Sequence, residues 1–116
     1  MDFTEGKPIY RQITDYCYDR IASGDWPADG RIPSTKDLCI EMGVNNRTVL
    51  KAFDDMADAG VIYQKRGMGY FVAPDASSLI MEERRAEFLR KTLPEFKEQM
   101  QFLGFTPAEV AELLTK

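Results

Sequence analysis

The polar side chains best suited to recognising another molecule stand close together in this sequence, within residues 46–51. They are Asn46, Arg47, Thr48 and Lys51. Asn and Arg form paired hydrogen bonds with the edges of adenine and guanine, and Thr contacts a thymine methyl group or a phosphate. This combination predicts contact with nucleic acid. A helix with such residues is, in isolation, more often just a solvated surface, so the prediction depends on the neighbouring elements.

Two short helices joined by a tight turn are predicted to position these side chains. Ser34 and Asp37 have the spacing of a capping box, which predicts that a helix begins after Ser34. Gly43 supplies the left-handed residue that ends a helix, and Asn45 is a suitable N-cap for the next one. Apolar spacing predicts that this second helix runs to about Ala59. Its buried face is predicted to contain Val49, Phe53, Met56 and Ala57.

A two-stranded hairpin is predicted directly after the second helix. Residues 61–63 and 70–72 are rich in branched and aromatic side chains, which favours β-strands. The residues between them include two glycines, which permit positive φ angles and a close approach to another surface. Lys65 and Arg66 stand at or beside the tip. An ordinary exposed hairpin also carries glycines and lysines, so the tip alone does not establish contact with DNA.

Helix, turn, helix and hairpin, in this order, are the parts of a winged helix-turn-helix. In such a unit the second helix enters the major groove of DNA, and the hairpin reaches the neighbouring backbone or minor groove. The predicted DNA-binding residues therefore come from both helices and the hairpin. They are Ser34, Thr35, Lys36, Asn45, Asn46, Arg47, Thr48, Lys51, Lys65, Arg66, Gly67, Met68 and Gly69.

Residues 8–72 resemble the DNA-binding domain of the GntR transcriptional regulators. The resembling segments are PIYRQI at 8–13, IPS at 32–34, TV at 48–49, AF at 52–53, AGVIY at 59–63 and RGMGYFV at 66–72. Each is weak alone, but together they are specific. The recognition segment 44–53 and the short remainder after the hairpin are similar to the YtrA-like subgroup. The resemblance implies a homodimeric regulator, most often a repressor, that binds a palindromic operator in double-stranded DNA and responds to a small-molecule effector of unknown identity.

Three positions depart from the usual pattern of that family. Lys36 stands where arginine is usual, Asn46 where arginine or proline is usual, and Arg47 where asparagine is common. A lysine keeps the charge but loses the flat, two-pronged geometry of arginine. The operator sequence of a relative therefore does not transfer to this chain.

Residues 77–116 carry a long apolar stripe. Apolar side chains recur at steps of four and three, which makes one face of a helix hydrophobic. A segment of this length cannot bury such a face alone. Folding back onto the DNA-binding domain, predicted over residues 1–76, is one alternative; a twofold partner is favoured, and the resemblance implies the same because YtrA-like tails are dimerisation elements. The predicted dimerisation residues are Phe88, Leu89, Leu93, Phe96, Met100 and Leu103.

Two further helix boundaries are predicted within this tail. Pro94 predicts either a kink near residues 90–93 or a new helix capped by Thr92. Thr106 and Glu109 have capping-box spacing, which predicts a final helix. The predicted fold class is thus mainly α with a small β-hairpin, in which a winged helix-turn-helix is followed by a short helical dimerisation tail.

The overall charge does not favour nucleic acid. The net charge is −4 at pH 7, whereas nucleic-acid-binding domains are usually basic. The local distribution is different, because Arg47 and Lys51 are the only charged residues between Glu41 and Asp54. We therefore expect weak nonspecific binding and a strong salt dependence of specific binding. A winged helix that binds another protein instead of DNA is the alternative. The candidate basic edge comprises Arg31, Lys36, Arg47, Lys51, Lys65 and Arg66.

Neither an enzyme nor a bound cofactor is predicted. The sequence has no histidine, no glycine-rich phosphate loop and no cysteine cluster with metal-ligand spacing, so the commonest general base and most zinc sites are missing. Cys17 and Cys39 fall on apolar helix faces and are predicted to be buried small hydrophobes. Without a signal peptide or a long apolar run, the chain is predicted to be cytoplasmic and without a membrane partner.

Overall fold

Helix α1 (Ile9–Ala22) is the first regular element of the computed structural model, which describes residues 3–116. Ile9, Ile13, Cys17 and Ile21 recur at helical spacing, which predicts an apolar stripe on an N-terminal helix from Pro8 to about Ser23. Ile13, Cys17 and Ile21 are buried. Ile9 belongs to the same predicted stripe, but its side chain is exposed. It is the first residue of the helix, and the core does not extend to that end.

Helices α2 (Thr35–Met42) and α3 (Asn46–Asp58) form the predicted helix-turn-helix. Both sides of the predicted capping box at the start of α2 are made: the Asp37 N–H donates to Ser34 Oγ, and the Ser34 N–H donates to the Asp37 carboxylate. Gly43 ends α2 with a left-handed φ of 68°. These boundaries follow from local side-chain chemistry, and the sequence predicted them correctly.

Helix α3 packs against both α1 and α2 with one fully buried face. Val49, Phe53 and Met56 lie in that face as predicted, together with Ala52. Ala57 was predicted to share the buried face and is exposed. At about 100° per residue, position 57 lies on the flank of the stripe and not at its centre.

Strands β1 (Ile62–Lys65) and β2 (Gly69–Val72) form an antiparallel hairpin, in which Ile62 pairs with Val72 and Lys65 with Gly69. The hairpin was predicted, but its strands extend closer to the tip than expected. Val61, predicted as the first strand residue, precedes β1 and is buried in the core.

A third chain segment, not foreseen from the sequence, lies beside β2. Arg31 forms an isolated antiparallel bridge with Phe71. The Ile32 N–H donates to the Tyr70 carbonyl at 3.0 Å, and the Val72 N–H donates to the Gly30 carbonyl at 2.9 Å. The loop that leads into α2 is therefore hydrogen-bonded to the hairpin.

The backbone divides into two units, the first ending at Met81 and the second spanning Glu82–Lys116. The division falls within helix α4 (Ala76–Glu87). Ile80, on the first-unit side of the division, is 1% exposed and belongs to the main core.

The backbone stays helical as it approaches Pro94. Phe88–Thr92 form a π-helical turn that leads directly into α5 (Leu93–Phe102). Thr92 has helical backbone angles and makes no side-chain cap, so the predicted new start capped by Thr92 is wrong. Proline removes one helical hydrogen bond and its ring crowds the preceding turn, and a wider π-helical turn accommodates both effects. The alternative prediction, a kink near residues 90–93, is closer to what the structure has.

The final helix, α6 (Pro107–Leu114), begins as predicted. The Glu109 N–H donates to Thr106 Oγ1 at 3.2 Å, and the Thr106 N–H donates to the Glu109 carboxylate at 3.0 Å. None of the helices in residues 3–116 is both long enough and apolar enough to cross a membrane.

Candidate nucleic-acid interface

At the start of α3, two side chains are presented to solvent, and two others, the N-cap Asn45 and Thr48, hold the local geometry. Asn45 Oδ1 accepts hydrogen bonds from the Thr48 N–H at 2.9 Å and from Thr48 Oγ1 at 3.0 Å. The hydroxyl proton of Thr48 is thereby directed at the cap, and Thr48 is half-buried. Asn46 and Arg47 are exposed. Of the predicted set, these two are the best placed to read bases.

Arg47 is the cation of this turn that is free to bind a ligand. Within residues 3–116 its side chain makes no ion pair and no hydrogen bond. It stands in the first turn of a helix whose N-terminal N–H groups and dipole also favour negative charge. A guanidinium here can bind either a guanine edge or a phosphate.

Asn46 has a neighbour across the turn of the helix-turn-helix motif. Cys39 Sγ lies 3.7 Å from Asn46 Oδ1, within the range of a weak hydrogen bond donated by the thiol. Cys39 was predicted to be a buried small hydrophobe, but it is only half-buried because it faces this turn. Cys17 is buried as predicted, and desolvation, followed by the nearby negative charge of Glu41, raises the pKa of its thiol to about 12.

Lys51 is less free than the sequence suggested. Its ammonium donates to Asp55 Oδ1 at 3.2 Å and lies 5.2 Å from the centroid of the Tyr10 ring. The hydrogen bond to Asp55, followed by its charge, raises the pKa of Lys51. In the sequence, the acids Asp54, Asp55 and Asp58 occupy the distal half of α3, apart from its first turn. At a spacing of four residues, however, one of them reaches back to Lys51.

The start of α2 contributes three predicted residues with different surroundings. Ser34 is engaged in the cap and Thr35 is half-buried at the first helical position. Lys36 is exposed, and in the described part of the chain it has no ion pair. Lys36 is therefore the side chain of this group that is available to a phosphate.

The hairpin places one of its two cations on an aromatic surface. Lys65 Nζ lies 4.6 Å from the centroid of the Phe71 ring and 5.9 Å from that of Tyr63. The two rings stack at 5.8 Å, and the Tyr63 hydroxyl donates to the Asp29 carboxylate at 2.9 Å. Lys65 thus lies back along the hairpin in a cation–π contact.

The tip itself consists of Arg66, Gly67 and Met68, all of them exposed. Gly67 has a φ of 77° and Gly69 a φ of 100°, conformations that favour glycine. A Cβ atom at Gly69 would lie 3.2 Å from Nε of Arg31, so the glycine also makes room for that guanidinium. Arg31 and Arg66 are therefore two further cations of the hairpin region.

Helix α3 and the hairpin are joined by a contact between two aromatic rings. The Phe53 and Tyr70 rings meet edge to face, with centroids 4.9 Å apart and an interplanar angle of 80°. Phe53 lies on the buried face of α3 and Tyr70 on β2. Their contact fixes the hairpin relative to the helix that carries Asn46 and Arg47.

The predicted dimerisation residues lie in the second unit, and most of them are exposed. Phe88, Leu89, Phe96 and Leu103 face solvent, and Leu93 is half-buried. Met100 is buried, on the floor of a cleft of about 280 Å³ between α5 and α6. Further large apolar side chains of the tail are also exposed and enlarge this surface. They are Phe102, which is 88% exposed, Phe105, Leu113 and Leu114.

Comparison with known proteins finds the same architecture. Residues 9–72 match the profile of bacterial regulatory proteins of the gntR family. Over 95% of its length the chain is 32% identical to YhcF of Bacillus subtilis (strain 168), an uncharacterized HTH-type transcriptional regulator, and it covers 89% of that protein.

Two solved structures extend the comparison. A crystal structure of a GntR-family protein from Bacteroides thetaiotaomicron has a TM-score of 0.78 and 34% identity, covering 92% of this chain and 93% of that one. The DNA-binding domain of AraR, crystallised in complex with the operator ORR3, has a TM-score of 0.56 and 30% identity. That match covers 63% of this chain and 93% of the AraR domain.

Proposed function

This chain belongs to the GntR family of bacterial regulatory proteins, and from that premise we propose that it is a sequence-specific, DNA-binding transcriptional regulator of the YtrA-like subgroup. The observation that carries the proposal is the first turn of α3. There Asn46 and Arg47 are exposed, while Val49, Phe53 and Met56 on the core-facing side of the same helix are fully buried. A helix held in this way by the core can present its polar turn to the major groove without loss of packing.

The proposed interface divides its residues between base reading and positioning. Asn46 and Arg47 read base edges. Lys36 and the hairpin residues Lys65 and Arg66 contact phosphates or the minor groove and so fix the register of the helix on the duplex. The glycines of the tip permit the close approach that such backbone contacts require.

We propose that residues 1–76 bind DNA and that residues 77–116 form a homodimer. The exposed apolar side chains of the tail support this division, because a monomer in water would leave a large apolar patch uncovered. A twofold pair covers such a patch with the same surface of each copy. Two linked winged helices would then bind a palindromic operator, whose half-sites are separated by about one or two helical turns of about 10.5 base pairs each.

We further propose that the dimer is a repressor acting in the bacterial cytoplasm. A dimer seated on a promoter occupies the same DNA as the transcription machinery, so operator binding alone is enough to repress. An effector that lowers operator affinity would relieve the repression, as the family resemblance implies.

The proposal is tested by selecting binding sequences from randomised duplex DNA with the full chain. We expect enrichment of one inverted repeat, and weaker and less selective binding by Arg47→Ala. Lys97→Ala, at an exposed cation of the tail, is the matched control and should bind like the unmodified protein. Failure to enrich any sequence at low salt would contradict the proposed function and favour a winged helix that binds another protein.

A further inference from the structure

The contact between Cys39 and Asn46 links the two helices of the DNA-binding motif at a base-reading residue. Cys39 lies on α2 and Asn46 is the first residue of α3. The Sγ to Oδ1 distance of 3.7 Å joins the thiol specifically to the carbonyl oxygen of the Asn46 amide. Asn46 is an exposed residue.

The orientation of that amide decides which bases it can bind. A paired contact with adenine needs both of its ends, because Oδ1 must accept from the adenine N6 amino group while Nδ2 donates to N7. In this chain Oδ1 faces Cys39, across the turn, and Nδ2 is the end that remains for an outside ligand. Asn46 therefore directs its donor end to the groove, while its acceptor, although it keeps a second lone pair, is turned towards the thiol.

We propose that Cys39 is a positioning residue that makes Asn46 read DNA as a hydrogen-bond donor, and so selects bases with a keto oxygen in the major groove. Guanine offers O6 and N7, and thymine offers O4, whereas cytosine offers only an amino donor. Adenine offers N7 beside an amino group that finds no acceptor when Oδ1 is turned away. The preferred bases at the position contacted by Asn46 are thus guanine and thymine.

This inference rests on the proposed DNA-binding function and makes it specific. The thiol touches no base, and it acts through the rotamer of Asn46 alone. A thiol is a weak hydrogen-bond donor. It needs only to favour the amide rotamer in which Oδ1, and not Nδ2, faces the thiol. Removing it releases Oδ1 and allows the paired contact with adenine.

The experiment compares operators that differ only at the base position whose preference disappears in Asn46→Ala. Competition binding is measured for the full unmodified chain, Cys39→Ala and Cys39→Ser on all four versions, and melting curves check that each variant is folded. The unmodified chain and Cys39→Ser, which retains a donor, should prefer guanine or thymine. Cys39→Ala should raise binding to the adenine operator by about fivefold or more relative to the guanine and thymine operators, the range expected when a paired base contact is gained.

A double variant separates positioning from packing. Cys39→Ala added to Asn46→Ala should cause no further change in base preference, because the thiol acts only through the amide. The inference is overturned if Cys39→Ala keeps the base preference of the unmodified protein, if Asn46→Ala loses no preference at any position, or if the unmodified chain prefers adenine there. A protein that binds all duplexes equally would instead overturn the proposed function itself.

Discussion

Lys51 Nζ and Asp55 Oδ1 lie 3.2 Å apart, one helical turn from each other on α3. The ion pair is exposed, so it contributes little to folding stability. It does hold a cation of α3, the proposed recognition helix, against an acid. The positive charge offered to DNA by this helix is therefore smaller than its sequence suggests.

The first prediction is that Asp55→Asn strengthens DNA binding on all sequences. Lys51 then becomes free to bind a phosphate, and the slope of log affinity against log salt should steepen by about one. Fluorescence anisotropy at several salt concentrations measures both quantities. Asp54→Asn removes the same charge from an exposed neighbour that does not hydrogen-bond to Lys51. Equal effects of the two variants would mean that only net charge matters.

The second prediction concerns base reading by Arg47. Arg47→Ala should cost about 1–3 kcal/mol of specific binding free energy and relax the preference at one base position per half-site. Titrations against operators with single base substitutions give both results. If the variant loses the same affinity on every sequence, Arg47 contacts only phosphate.

The third prediction distinguishes the cations that position the helix. Replacing Lys36 or Arg66 by Ala should weaken binding on every sequence and reduce the salt slope by about one. The ammonium of Lys65 lies over the Phe71 ring, so we expect a smaller change in slope for Lys65→Ala. An unchanged slope for all three variants would remove the hairpin and the start of α2 from the interface.

The fourth prediction is that the tail holds the dimer together. Phe96→Asp places a charge within the exposed apolar surface and should yield a monomer that binds the operator weakly, because linked half-site binding is lost. Lys97→Asp introduces the same residue at the adjacent exposed position and should leave the dimer intact. Analytical ultracentrifugation measures the oligomeric state of each variant. A monomeric unmodified protein at high micromolar concentration would contradict the prediction.

Truncation of the chain also tests whether the tail forms the dimer, and the structure indicates where the truncated chain should end. The tail was predicted to begin at residue 77, but Ile80 is buried in the main core. Ending the chain after Ala76 would remove this side chain from the DNA-binding unit. A truncation after Met81 keeps the first unit whole. It should be a folded monomer with weak operator affinity, and a dimeric truncated protein would remove the tail from the interface.

The fifth prediction uses the different surroundings of the two thiols. Burial raises the pKa of Cys17 from its ordinary value of 9.0 to about 12, so the thiolate needed for alkylation is scarce and enclosed. The folded protein should be alkylated by iodoacetamide at Cys39 and not at Cys17, and Cys39→Ser should remain unlabelled by mass spectrometry. Comparable labelling of Cys17 in the native state would contradict its burial.

The raised pKa of Cys17 also makes the stability of the fold depend on pH. The folded-state pKa of Cys17 is raised, so its thiol contributes to the free energy of unfolding. This contribution is fully present below about pH 9 and is lost as the pH rises towards 12.

Local chemistry accounts for the features that the sequence predicted well. The capping pairs Ser34 with Asp37 and Thr106 with Glu109 are three residues apart, and Gly43 needs only its own backbone angle. Such features require no knowledge of the rest of the fold. The helix-turn-helix and the hairpin could therefore be predicted with their residues nearly in place.

Contacts between distant residues account for what the sequence did not predict. The bridge from Arg31 to Phe71 joins positions that no periodic pattern relates. The contact of Cys39 with Asn46 depends on the geometry of the turn between two helices. The ion pair of Lys51 with Asp55 spans only four residues, but that spacing permits the pair without requiring it. The residue types indicate where the candidate site lies. Only the fold determines which of its side chains are available to bind DNA.

The residues of α3 that form the core are distinct from the two residues of its first turn that we propose to read bases. Val49, Phe53 and Met56 are inaccessible to solvent, whereas Asn46 and Arg47 make no contribution to that core. Exchanges at exposed positions usually change the free energy of unfolding by less than about 0.5 kcal/mol. After gene duplication, one copy could therefore acquire a new target site through a few mutations in one helical turn. Each variant along the way would still fold. This arrangement favours the divergence of paralogous regulators from a single scaffold.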